Sequence, residues 1–212
     1  MRTRKGSALL AVTLTVGMAT LGLVQTASAA TPKAPTKAAT SEAMTIVHVT
    51  SLSQIPTAYN TRAGQATPNV AYSVTLRNAH SGQCLDGDLN TIGHNGAKVQ
   101  LWACNGRDNQ SWIFVPNPTY GPYFYTIRNA HSGQCLDADT NTIGYNGTKV
   151  QLWACTGSSG GSNQSFSRPP GNTLQNYTDG QCLDGDLNTI GYNGTKVQLW
   201  DCNGWDNQSW LE

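Results

Sequence analysis

The sequence predicts an all-β fold built from one unit written three times. Three observations carry that reading. First, the chain repeats itself from Tyr72, Tyr125 and Asn172, and each copy contains the pentapeptide Lys-Val-Gln-Leu-Trp. Second, apolar and polar residues alternate at period two over short runs separated by Gly and Asn turns. Third, no stretch of the repeats carries helical periodicity.

The elements follow from the N-terminus. The chain has 212 residues, and its first 29 have the layout of an export signal. Arg2, Arg4 and Lys5 form a basic start, Ala8 to Val24 is apolar, and Ala27-Ser28-Ala29 supplies a small-residue cleavage site. A membrane anchor fits less well, because the apolar run is broken by Thr and Gly and no basic stop-transfer cluster follows it. The mature protein is therefore expected to be secreted, with no membrane contact once the signal is removed. Residues 30–70 form a linker and an unassigned segment. Up to Ala43 the linker is rich in Ala, Thr, Pro and Lys, which build no core. Between Met44 and Val70 only Thr45–Val49 alternates like a strand.

The repeats fill the remainder, residues 71–212. Each offers an opening strand, a Cys-Leu-Asp strand, a Lys-Val-Gln-Leu-Trp strand and a closing strand at Asn-Gln-Ser-Trp, or Asn-Gln-Ser-Phe in the second. A lone unit could bury only one face of these strands, so the three are expected to close into one barrel-like domain. The formal net charge of +1 and the charged fraction of 12% lack the basic clustering that a nucleic-acid partner requires.

Six cysteines in an exported chain read as three disulfides. A repeat that folds as a unit should carry its own staple, which pairs Cys84 with Cys104, Cys135 with Cys155 and Cys182 with Cys202. Each bridge would contribute about 3 kcal/mol by loop entropy. Strand parity then sorts the pentapeptide: Val99 and Leu101 face the core, while Gln100 and Trp102 face the other way with Cys104. Leu85 also goes inward, leaving Cys84 and Asp86 on the outer side. If the bridge joins directly opposed positions of antiparallel strands, Asp86 falls opposite Trp102, Asp137 opposite Trp153 and Asp184 opposite Trp200. A carboxylate facing an indole suits a pyranose: the carboxylate accepts hydrogen bonds from two hydroxyls while the apolar sugar face covers the ring. The competing reading is that the three indoles merely cover the disulfides. Trp112 and Trp210 of the closing strands, with Phe166 in the second unit, read as core.

Cys-Leu-Asp, then Gln-Leu-Trp-x-Cys, then Asn-Gln-x-Trp, three times over but for Phe166 in place of the last Trp in the second copy, resembles the ricin B-chain type β-trefoil lectins with their Q-x-W repeats. The resemblance implies a β-trefoil that binds galactose- or xylose-type glycans or polysaccharide through up to three shallow pockets. It implies sugar hydroxyl contacts by Asp86, Asp137 and Asp184, and stacking by Trp102, Trp153 and Trp200. Gln100, Gln151 and Gln198 would line the pockets. Asn109, Asn163 and Asn207 would complete the hydroxyl contacts, and Gln110, Gln164 and Gln208 would be structural or hold the Asp. The departures are Phe166, a longer Thr156–Ser162 loop, and a third unit that opens with Asn-Tyr-Thr-Asp rather than Asn-Ala-His-Ser. The second pocket is expected to be the poorest.

Other functions fit less well. Asp86, Asp88 and Asn90 start with the spacing of a calcium loop, but Thr91 stands where Gly is needed and Ala97 where Glu is needed. Asp88, Asp139 and Asp186 read instead as turn formers, with no metal or other cofactor implied. No nucleophile with its base is recognisable, so the chain is read as a non-enzyme. A protease inhibitor on the same scaffold would need an unusual exposed loop, and only Thr156–Ser162 qualifies, which reads as flexible rather than poised. The partner expected is a glycan, bound by a monomer.

Overall fold

The computed structural model describes residues 43–59 and 69–211. The export signal and the spacer before Ala43 lie outside the described residues. A short strand β1 (Thr45–His48) runs parallel to β2 (Val70–Thr75), with Thr45 beside Val70 and His48 beside Ser73. β2 continues as β3 (Arg77–Asn78). A hairpin of β4 (Cys84–Gly87) and β5 (Ala97–Trp102) follows, and β6 (Ser111–Pro116) closes the first repeat. The second repeat comprises β7 (Phe124–Asn129), β8 (Cys135–Ala138), β9 (Thr148–Trp153) and β10 (Ser165–Ser167). The third comprises β11 (Gln175–Asn176), β12 (Cys182–Gly185), β13 (Thr195–Trp200) and β14 (Trp210–Leu211).

Two rings of pairing join the repeats. Each closing strand hands over to the next opening strand: β6 pairs β7 with Trp112 opposite Asn129, β10 pairs β11 with Phe166 opposite Asn176, and β14 pairs β3 with Trp210 opposite Asn78. The last hand-over returns to the first repeat and so closes the barrel, leaving no open edge at that seam. The second ring is made by the pentapeptide strands, which pair in a triangle: Ala97 with Leu152, Thr148 with Leu199, and Thr195 with Leu101. Gly96, Gly147 and Gly194 precede these strands at φ of 87°, 93° and 95°. That conformation favours glycine, and it lets each donate its N–H to the neighbouring repeat at 2.9 Å, on Leu152, Leu199 and Leu101 respectively.

The core fills the space these rings enclose. Leu85, Val99, Leu101 and their counterparts are buried, as strand parity requires. Trp112, Trp210 and Phe166 are buried from the closing strands. The two indoles also donate Nε1–H to the backbone, Trp112 to Leu85 O at 2.9 Å and Trp210 to Leu183 O at 3.0 Å. A buried indole needs such an acceptor, and Phe166 fills its position without one.

Three sequence expectations need correction. Each disulfide does close within its repeat, Cys84–Cys104, Cys135–Cys155 and Cys182–Cys202, but it does not join opposed positions. Cys84 stands opposite Trp102, and Cys104 lies two residues beyond the end of β5. The register therefore puts Asp86 opposite Gln100, not Trp102, with Asp137 opposite Gln151 and Asp184 opposite Gln198. The folded unit also begins before Ala71. A 3-10 turn at Leu52–Gln54, held by a capping box between Ser51 and Gln54, buries Leu52, and Ile55 and Tyr59 join the same core. Tyr125 Oη donates to Pro56 O at 2.6 Å and Arg168 Nε to Ile55 O at 3.1 Å, fixing this segment to the barrel. Finally, the Thr156–Ser162 loop is tied down. Asn117 Nδ2 and Thr126 Oγ1 both donate to Ser159 O, and Arg128 Nη2 donates to Ser158 O at 2.7 Å.

The core assignments are testable by truncation. Ile55→Ala and Trp210→Ala should destabilise by about 2–5 and 3–5 kcal/mol respectively, read from denaturant unfolding. A loss below about 0.5 kcal/mol for Ile55→Ala, the range of surface substitutions, would show that the segment before the repeats only decorates the fold.

Candidate functional site

Each pocket is built on a buried carboxylate. Asp86, Asp137 and Asp184 are only 3%, 4% and 3% exposed, although they point away from the leucine core. A charge so placed must be hydrogen-bonded to persist, and each is gripped by three amides. Gln100, directly opposite on β5, donates Nε2–H to Asp86 Oδ1 at 3.1 Å. Asn109 Nδ2 and Gln110 Nε2 both donate to Oδ2 at 2.8 Å. The same set recurs as Gln151, Asn163 and Gln164 on Asp137 and as Gln198, Asn207 and Gln208 on Asp184.

Local structure explains how Asn and Gln reach the carboxylate together. They lie on a single 3-10 turn, Asp108–Gln110 in the first repeat, just before the closing strand. Asn109 spends its second amide hydrogen on Gly87 O at 2.9 Å. Gln110 bonds the chain beyond the pentapeptide twice, donating to Ala103 O at 3.1 Å and accepting from Asn105 N at 2.8 Å. Gln110 thus clamps the Asp, the disulfide loop and the closing strand to one another. Asn109 and Asn207 also keep Oδ1 buried with no donor among the described residues.

A carboxylate offers about four acceptor positions. Three are filled, so about one remains for a ligand hydroxyl, fewer than the two expected from the sequence. Beside each carboxylate lies the indole of the same pentapeptide: Trp102, Trp153 and Trp200 are 38%, 40% and 38% exposed. They line three cavities with Asp86, Asp137 and Asp184 in turn. The first and third cavities measure about 270 Å³ and the second about 600 Å³. The second is wider where Thr140 stands in place of Leu89 or Leu187, and Thr156 in place of Asn105 or Asn203.

Asp88, Asp139 and Asp186 stand at the cavity rims as turn formers. Each Oδ1 accepts the backbone N–H of the asparagine two residues on, Asn90, Asn141 and Asn188, at 3.0–3.1 Å.

Several positioning residues escaped the sequence reading. Asn78, Asn129 and Asn176 are fully buried where one repeat meets the next. Their Nδ2 groups donate to Asn207 O, Asn109 O and Asn163 O at 2.8, 2.9 and 3.0 Å. Each therefore fixes the pocket asparagine of the preceding repeat. Asn95, Asn146 and Asn193 do the converse, accepting at 2.7 Å the backbone N–H that follows the pentapeptide Trp of another repeat. The threefold recurrence of these asparagines was visible in the sequence, but their partners lie far away along the chain. His80 and His131 belong to the same joints. His80 Nδ1 meets Asp206 Oδ1, and His131 Nδ1 meets Asp108 Oδ1, both at 2.9 Å. In the third repeat Thr178 stands where these histidines do, and in the second Ser162 stands where their aspartates do. The two departures are the two halves of one absent contact.

The family model described as the ricin-type beta-trefoil lectin domain matches residues 72–210. The chain belongs to this family. It is similar to the crystal structure of a designed threefold-symmetric protein, ThreeFoil, at 28% identity and a TM-score of 0.57, over 67% of this chain and 98% of that one. It is similar to an exo-beta-1,3-galactanase from Clostridium thermocellum at 27% identity and a TM-score of 0.55, over 65% of this chain but only 29% of the enzyme. The agglutinin of Rhizoctonia solani shares the fold at 22% identity and a TM-score of 0.54, over 65% of this chain and 91% of that one. No match emerges among curated proteins. Ricin-type domains are in general non-catalytic carbohydrate-binding domains.

The buried aspartates should titrate in a characteristic way. Burial raises all three carboxyls above the usual 3.8, with the amide bonds pulling part of the way back. The folded protein then takes up protons more readily than the unfolded chain, so these groups cost stability as pH rises from 3.8 through their raised values. Asp206 is lowered by its bond from His80. It acts in the opposite sense, and its contribution is lost as pH falls through its own value. A carboxyl-detected NMR titration should find Asp86, Asp137 and Asp184 above 3.8 and Asp206 below it. Values below 3.8 for the three would mean that the amides outweigh burial.

Proposed function

We propose that the protein is a secreted lectin whose three pockets each bind one sugar of a neutral glycan, of galactose or xylose type. The observation that carries this reading is the threefold recurrence of an exposed indole beside a buried carboxylate with one acceptor position to spare. The apolar face of a pyranose covers the indole, and one of its hydroxyls donates to the carboxylate. The stacking Trp sits two residues beyond the gripping Gln on the same face of its strand, so ring and carboxylate keep a fixed spacing. Likeness to a galactanase over part of its chain supports a galactose-type ligand.

Shallow open pockets imply weak single-site binding, about millimolar, or roughly 4 kcal/mol. Polymers that reach two or three pockets should bind about a hundredfold more tightly. A glycan array with the mature protein identifies the ligand. Calorimetry of Trp200→Ala should then show loss of the third pocket with little change in unfolding midpoint, and sugar affinity should fall as pH is lowered through the raised aspartate values. Retained affinity together with a strongly lowered midpoint would make the pentapeptide a packing strand.

A further inference from the structure

One backbone slot, two residues before each pocket asparagine, carries a different residue in each repeat: Arg107, Gly161 and Trp205. The slot is constant in geometry, with φ and ψ of −81° and 160°, −80° and 176°, and −79° and 159°. Its carbonyl accepts the N–H of the gripping glutamine, from Gln110 at 3.0 Å, and from Gln164 and Gln208 at 3.1 Å. In the first and third repeats its own N–H is donated to a pocket-lining asparagine, Asn105 or Asn203, at 2.9 Å. Whatever side chain leaves this slot therefore starts from a rigid point tied to the buried carboxylate.

In the third repeat that side chain is an indole. Trp205 is 59% exposed and lines the same cavity as Trp200 and Leu187. The fold does not require it, since Arg107 occupies the identical slot. An indole held this open on a rigid support has a large apolar face without a covering partner among the described residues. The cavity it shares already has one stacking ring beside the carboxylate, so a second ring adds apolar wall beyond what the sugar on Trp200 covers. Resting on the pocket reading above, we propose that Trp205 is a second stacking platform, which makes the third pocket selective for a disaccharide or longer glycan, one sugar on Trp200 and the next on Trp205. The first pocket offers a guanidinium at this place and the second nothing. A Cβ at Gly161 would lie 2.9 Å from Asn163 Oδ1, so the second repeat cannot carry a ring there without moving its pocket asparagine.

The test is residue-resolved fluorine NMR on the mature protein labelled with 5-fluorotryptophan, titrated with galactose against lactose and with xylose against xylobiose. For whichever pair binds, the disaccharide should shift Trp200 and Trp205 together, at about tenfold lower concentration than the monosaccharide shifts Trp200. Trp205→Arg should bring that ratio down to about one to two, and Arg107→Trp should raise the ratio sensed at Trp102 toward ten. Unchanged ratios in both variants, or a shift of Trp200 without Trp205, would overturn the proposal alone. Silence of Trp102, Trp153 and Trp200 toward all four sugars would overturn the pocket reading and this proposal with it.

Discussion

Three amides closing on one buried aspartate is the contact on which each repeat depends. An ionised carboxylate that is only 3–4% exposed costs free energy unless its oxygens are satisfied. Gln100 can reach Asp86 only in the observed hairpin register, and Asn109 with Gln110 only from the 3-10 turn ahead of the closing strand. The grip therefore selects the register, sets where the disulfide loop ends and aims β6 into the barrel. The leucine pattern excludes a one-residue slip, but it leaves registers two residues apart open, because residues two apart share a face. The polar grip specifies one.

The same contact explains why the repeats are not independent. Asn109 is held through its carbonyl by Asn129 of the second repeat, Asn163 by Asn176 of the third, and Asn207 by Asn78 of the first. The triangle of β5, β9 and β13 repeats this dependence on the other side of the pocket, where the Asn-Gly turn of one repeat secures the strand of another. A pocket is thus assembled from one repeat and positioned by others. This gives a physical reason why three copies occur in one domain. Differences between pockets lie in the longer Thr156–Ser162 loop of the second repeat and in side chains that leave this frame, such as Arg107, Gly161 and Trp205.

Much of this was legible in the chain. Period-two alternation placed Val99, Leu101 and Leu85 inward, and spacing gave the disulfides, because both depend on neighbours within one repeat. Strand parity put Asp86, Gln100 and Trp102 on one face, whereas the place of Gln110 beside the carboxylate was implied only by the family resemblance. The register was missed because a disulfide was assumed to bridge opposed residues, whereas Cys104 lies past the strand end. Leu52 and Ile55 were missed because isolated apolar residues among Ser, Thr and Pro carry no period, and their partners lie on distant strands. Asn78, Asn129 and Asn176 stood in plain view as repeated letters, yet nothing local reveals that they serve the preceding repeat.

The central claim is that a carboxylate with three acceptor positions filled presents the fourth to a sugar. A crystal structure of the mature protein with the best sugar from the array tests it most directly. The account predicts a sugar ring over Trp200 with one hydroxyl within hydrogen-bond distance of Asp184 Oδ1, and the bonds from Gln198, Asn207 and Gln208 intact. A sugar bound away from Asp184, or one that displaces those amides to reach it, would contradict the account.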